Sequence, residues 1–158
     1  MERLGVTRES MSALVHAADA LYGSRDPRAL GVLLAVYGRA QGDWGRVRLL
    51  RSLASVEHRE EVRPTLLAAA RDPVWRLRML TARALAQDSC AEGVLLALTR
   101  DPQWRVREAT CRALGSRPTT EAALAALEAA QNDPDARVIA AAERAGNRLR
   151  ARTSLEIW

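Results

Sequence analysis

Two stretches of the chain read almost alike: Asp72-Pro73-Val74-Trp75-Arg76-Leu77-Arg78 and Asp101-Pro102-Gln103-Trp104-Arg105-Val106-Arg107. From Asp72 to Asp101 is 29 positions. A third copy, Asp133-Pro134-Asp135-Ala136-Arg137-Val138-Ile139, begins 32 positions after the second. A degenerate copy, Asp43-Trp44-Gly45-Arg46-Val47-Arg48, lies 29 positions before the first. The likeness extends into Ala82-Arg83-Ala84-Leu85-Ala86 and Cys111-Arg112-Ala113-Leu114-Gly115. Self-similarity at such a period is the mark of a repeat architecture.

Each copy predicts the opening of a helix. Asp at the N-cap accepts from free amides of the first turn. Pro at the first helical position gives up an N–H that has no partner there anyway. Gly115 and Pro118 then end one such helix. An apolar-periodic segment precedes each full copy, at 62–70, 92–99 and 120–130. The unit is therefore helix, tight turn, helix. Composition agrees: Ala and Leu, both strong helix formers, dominate, and Phe is absent. Runs of β-branched and aromatic residues that would mark strands are missing.

Asp-Pro-x-x-x-Val-Arg followed by Ala-Leu-Gly resembles the HEAT-repeat family, especially its short bacterial form, also seen in phycobilin-lyase-like proteins. The resemblance covers 43–150, with Ile139 in place of the usual Arg and no Pro in the first copy. It implies an all-α fold: a right-handed α-solenoid of antiparallel helix pairs, about nine helices in all. One domain over 1–158 is expected, with N-terminal helices in 1–42, repeats in 43–150 and a tail at 151–158. The N-terminal helices are placed near 7–22 and 27–40. The tail, Ser154-Leu155-Glu156-Ile157-Trp158, either docks on the last helices or stays exposed as an anchor for another chain.

At 100° per residue, Val74, Leu77, Leu80, Thr81, Ala84 and Leu85 share one broad face, which must be core. Trp75, Arg76, Met79, Ala82 and Arg83 lie on the other. The matching exposed faces carry Trp104, Arg105, Glu108, Cys111 and Arg112, and then Ala136, Arg137, Ala140, Glu143 and Arg144. In the family the second helices line the concave surface. The resemblance therefore implies two Arg rows there, Arg76–Arg105–Arg137 and Arg83–Arg112–Arg144, beside a row of Trp44, Trp75 and Trp104. It also implies that Arg78 and Arg107 pair with the repeat aspartates Asp72 and Asp101 in a structural ladder between neighbours.

The charge balance points the same way. All 24 basic residues are Arg against 19 acids, giving +5 and a pI of about 10.4. Between positions 43 and 115 there are 13 Arg and 9 acids, so the excess lies in the repeats. A basic surface favours acidic partners, nucleic acid among them. Cys90 and Cys111 do not make a disulfide framework, which predicts reduced thiols and a cytoplasmic setting. The longest apolar runs, such as 29–37, are too short to span a bilayer, and the first residues lack the pattern of a signal peptide.

Enzyme chemistry finds little support. His16 and His58 stand in unrelated segments, and His58 reads as part of a solvated helix start. There is no His-Glu-x-x-His or paired Cys-x-x-Cys motif, so no metal and no cofactor is expected. The HEAT-like iron hydroxylases depend on His-Glu pairs that are missing. Cys111, flanked by Arg107 and Arg112, is a candidate thiolate on the exposed face, though without a base partner. HEAT-like alkylpurine DNA glycosylases are similar in architecture, but no catalytic Asp carries over.

The expectation is a non-catalytic interaction scaffold with no membrane contact. Its binding residues are Trp75, Arg76, Arg83, Trp104, Arg105, Arg112, Arg137 and Arg144, and its partner an acidic protein or peptide. Nucleic acid is the alternative ligand. A plainer reading is that the Arg rows only solvate a Lys-free chain, with the Trp rings capping the helix seam.

Overall fold

The computed structural model describes residues 12–155, apart from 14, 18, 19, 24, 25, 41 and 56–58. Every element among them is helical. The described positions between 12 and 20 are helical, and eight further α-helices follow. The sequence expectations for residues 7–11, His58 and 156–158 lie outside the described residues. The chain divides into two compact units, Met1–Leu66 and Leu67–Trp158.

The first unit holds α1 (Pro27–Arg39) and α2 (Asp43–Ser55), which pack on each other. Asp26 is the N-cap of α1: its side chain accepts from the Arg28 amide at 2.9 Å, with Pro27 just inside the helix. The connection to α2 uses Gly42 at φ +83°, a left-handed backbone that an L side chain resists. Among the described residues, Val15, Leu30, Leu33, Leu49, Leu50 and Leu53 are the largest fully buried side chains of this unit. Helix α3 (Arg59–Ala69) begins in the first unit and ends in the second.

The second unit carries the repeats. Its helices are α4 (Trp75–Ala84), α5 (Glu92–Leu98), α6 (Trp104–Leu114), α7 (Glu121–Ala130) and α8 (Ala136–Leu155). Two short 3-10 turns, Leu85–Gln87 and Ser89–Ala91, join α4 to α5. Helix α6 packs between α4 and α8, while α5 and α7 pack on each other and on α6 and α8 respectively. That is the nearest-neighbour stacking of a solenoid, in two layers. Leu77, Leu85, Leu95, Leu114, Leu127 and Leu149 are fully buried between the layers, each contributing about 1.5–3 kcal/mol of burial.

Three local expectations are corrected. First, the repeat Asp-Pro lies outside the helix. The N-caps are Val74 and Gln103, and α4 and α6 start at the Trp that follows. Asp72, Asp101 and Asp133 each accept, at 2.9 Å, the amide two residues on. This is an Asx-turn, which sets the chain's angle of entry before the helix begins. Second, Ala82 and Cys111 are wholly buried. A wheel with one core face puts them outside, but α6, flanked by α4 and α8, buries a wider arc that takes in Cys111, and Ala82 lies on α4, which packs along α6. Third, α8 continues through Leu155, so 151–155 extend a helix that was expected to have ended.

The ladder between repeats is present, with each Arg reaching the aspartate of the next repeat. The Arg78 Nε and Nη2 donate to Asp101 at 2.6 and 2.9 Å, and its Nη1 donates to the Asp72 carbonyl at 2.8 Å. Arg107 repeats the pattern, with Asp133 at 2.6 and 2.8 Å and the Asp101 carbonyl at 2.8 Å. Arg117 is a second strut. It is buried, and it donates to the carbonyls of Leu85, Asp88 and Ser89 in the loop one repeat back.

Candidate functional site

The opening Trp-Arg of each repeat falls in the first turn of α4 or α6, where the side chains of successive repeats come side by side. The Arg76 guanidinium lies 4.6 Å from the centre of the Trp75 ring. Arg105 lies 5.3 Å from Trp75 and 4.4 Å from Trp104. Arg137 lies 3.5 Å from Trp104. The five side chains therefore alternate, Arg76–Trp75–Arg105–Trp104–Arg137, across three repeats. Each contact is worth about 0.5–1 kcal/mol at an exposed site.

Electrostatics differ along this line. Arg137 is engaged by Asp135, to which Nε and Nη2 donate at 2.9 and 2.8 Å. That hydrogen bond is the main reason the Asp135 carboxyl sits below its ordinary value. Arg76 and Arg105 make no ion pair among the described residues, so their fork edges remain available to a ligand. Both Trp rings, being half-buried and covered by guanidiniums, are poor open platforms for a stacked base.

The second expected row behaves differently. Arg83 is exposed in the last turn of α4. Arg112 donates to Glu108 one turn earlier at 2.6 Å. Arg112 and Arg144 come together with Arg148, Ala141 and Ala145 around a depression of about 280 Å³. Arg83 is not part of that lining. Sequence reasoning overlooked Arg148, although its spacing of four from Arg144 places both on one helical face. Trp44 belongs to the first unit, where it is exposed with Arg48 4.5 Å from its ring.

Cys111 is no nucleophile. Burial, with a smaller contribution from Asp133, pushes its thiol up to about 12. Only a thiolate attacks, and at neutral pH this group holds its proton. Among the described residues, no three His, Cys, Asp or Glu side chains gather as a metal site. No described helix is long and apolar enough to cross a membrane.

A family model for HEAT repeats matches residues 64–146, more than half of the chain. The chain belongs to the HEAT-repeat family, as the stacked helix pairs and the Arg–Asp ladder also indicate. No curated protein matches it.

Proposed function

We propose that this HEAT-repeat chain is a non-catalytic interaction scaffold of the cytoplasm. An acidic protein or peptide segment lies along the Trp/Arg face of α4, α6 and α8. The alternating stack from Arg76 to Arg137 is the observation that supports this. Packing against indole fixes the guanidiniums in place, so a carboxylate meets forks whose freedom is already lost. The covered Trp rings favour a protein partner over single-stranded nucleic acid, which needs open rings to stack on.

The test is a fluorescence-anisotropy titration of a labelled Glu-rich peptide, run beside labelled duplex DNA at two salt concentrations. The peptide should bind the natural chain, and both Arg76→Glu/Arg105→Glu and Trp75→Ala/Trp104→Ala should abolish binding. Peptide binding that survives both double substitutions overturns the assigned face. Tight, steeply salt-dependent DNA binding with no peptide binding would transfer the chain to the nucleic-acid class.

A further inference from the structure

The depression between α6 and α8 has a different construction from the Trp/Arg stack. Arg112 comes from the last turn of α6, and Arg144 and Arg148 from successive turns of α8. Its floor is Ala141 and Ala145, both buried and too small to fill it. The two helices approach closely because position 115 is glycine. A Cβ there would stand 2.6 Å from the Ala145 Cβ and 2.8 Å from its Cα. That approach brings guanidiniums from two repeats to one point.

Such a convergence is unfavourable by itself. Like charges four apart on a helix repel, and Arg112 adds a third. The lining itself holds no acid: Arg112 reaches out to Glu108, and Glu143, next to Arg144 in sequence, is exposed and is not part of it. Arg144 and Arg148 make no ion pair among the described residues. Taken with Glu108, the lining carries a surplus of two positive charges.

We propose that this depression binds a phosphomonoester, carried on a side chain of the acidic segment that the Trp/Arg face receives. A phosphorylated side chain has about −1.5 to −2 charges at pH 7 and three strong acceptor oxygens. That matches the surplus and the number of guanidinium forks, which bind such groups in pairs of hydrogen bonds. A single carboxylate leaves one cation uncompensated. A nucleic-acid phosphodiester carries one charge per unit along a ribbon, whereas these three guanidiniums meet around one space. The volume lies just below the usual range for small organic ligands, enough for a phosphate and the start of the side chain bearing it.

The identity of the carrier rests on the proposed function, whereas the anion site does not, and two titrations separate them. In the first, a Glu-rich peptide with one phosphoserine and its unphosphorylated twin are titrated calorimetrically into the full chain. The phosphopeptide should bind at least about tenfold more tightly. Arg144→Gln/Arg148→Gln should bring that ratio to unity, the phosphopeptide losing the tenfold by which it exceeds its twin. Arg76→Gln/Arg105→Gln should weaken both peptides and keep the ratio. A ratio near one in the natural chain, or one indifferent to Arg144→Gln/Arg148→Gln, overturns the proposal.

In the second, inorganic phosphate is titrated while the Ala141 and Ala145 amide resonances are followed. Saturable shifts that vanish in Arg144→Gln/Arg148→Gln establish the anion site even if neither peptide binds, in which case only the interaction reading falls. No shift overturns the site. Should the double variant melt early, Arg112→Gln, a change at an exposed position, serves in its place. Duplex DNA that binds as tightly as the phosphopeptide and displaces it overturns the monoester assignment.

Discussion

Two positions separate Arg76 from Arg78, and Arg105 from Arg107, yet the two pairs of guanidiniums live under opposite rules. The side chains of Arg78 and Arg107 are each 13% exposed and face aspartates exposed by 4% and 8%. A charge that far out of water must be fully paired, and each has a two-pronged carboxylate and backbone carbonyls. Arg76 and Arg105 lie in the open against indole rings. A repeat of this kind thus assigns one Arg to holding the stack together and another, half a turn away, to whatever the stack meets.

The largest expected effect tests the first half of that contrast. Arg107→Ala strands Asp133 and the Asp101 carbonyl at a nearly buried joint, which should cost about 3 kcal/mol. In a domain of this size that lowers Tm by about 6–12 °C, read by circular dichroism. An unchanged melting curve would remove the ladder as a structural element. Gly115→Val comes next. Its Cβ would overlap Ala145 down to the backbone, and prising α6 from α8 should cost about 1–3 kcal/mol. If the variant melts like the natural chain, the close approach of α6 and α8 at Gly115 is not needed.

Acid should erase the same contrast. The Asp133 carboxyl is held below its ordinary 3.8, mainly by the hydrogen bond from Arg107. A lowered folded pKa means that the stabilisation is whole above the ordinary value and fades as pH falls toward the lowered one. Melting temperatures of the natural chain and Arg107→Ala should therefore differ most above about pH 4 and converge on further acidification. A gap that persists at low pH would show that the ion pair is not its source. The smallest effect belongs to the open pair: Arg76→Ala/Arg105→Ala removes three exposed cation–π contacts and should cost about 1.5 kcal/mol, half the loss at Arg107, because such contacts at exposed sites contribute little each. A loss comparable to Arg107→Ala would make this face structural and take away the reason for assigning it to a partner.

Much of the architecture was legible in Asp72–Arg78 and its copies. The period marked the repeat, and the order of apolar segments marked the helix pairs. The resemblance carried by those motifs implied an Arg–Asp ladder between neighbours with Asp101 in it, but it did not name Asp133, the partner of Arg107. The candidate site was legible in part, since the alternation of Trp and Arg in equivalent first turns makes them neighbours once helices stack. Arg148 was missed because no repeat motif includes it. Arg117 was missed because an Arg in a loop looks solvated until the previous repeat's carbonyls are seen around it. Ala82 and Cys111 were placed outside because a helical wheel knows one core face; Cys111 sits on α6, which has neighbours on either side, and Ala82 on α4, which packs along α6.

By itself the sequence determined what is local and what is periodic: where helices form, which Leu and Val positions face inward, and which residues recur at one height in each repeat. These follow from propensity and spacing, which act within a turn or two of the chain. Only the tertiary structure decided how wide the buried arc of each helix is, which Arg is drawn out of water, and which three guanidiniums meet. Those outcomes depend on the distance between helices that are remote along the chain, and for α6 and α8 the absence of a side chain at Gly115 permits their close approach at Ala145.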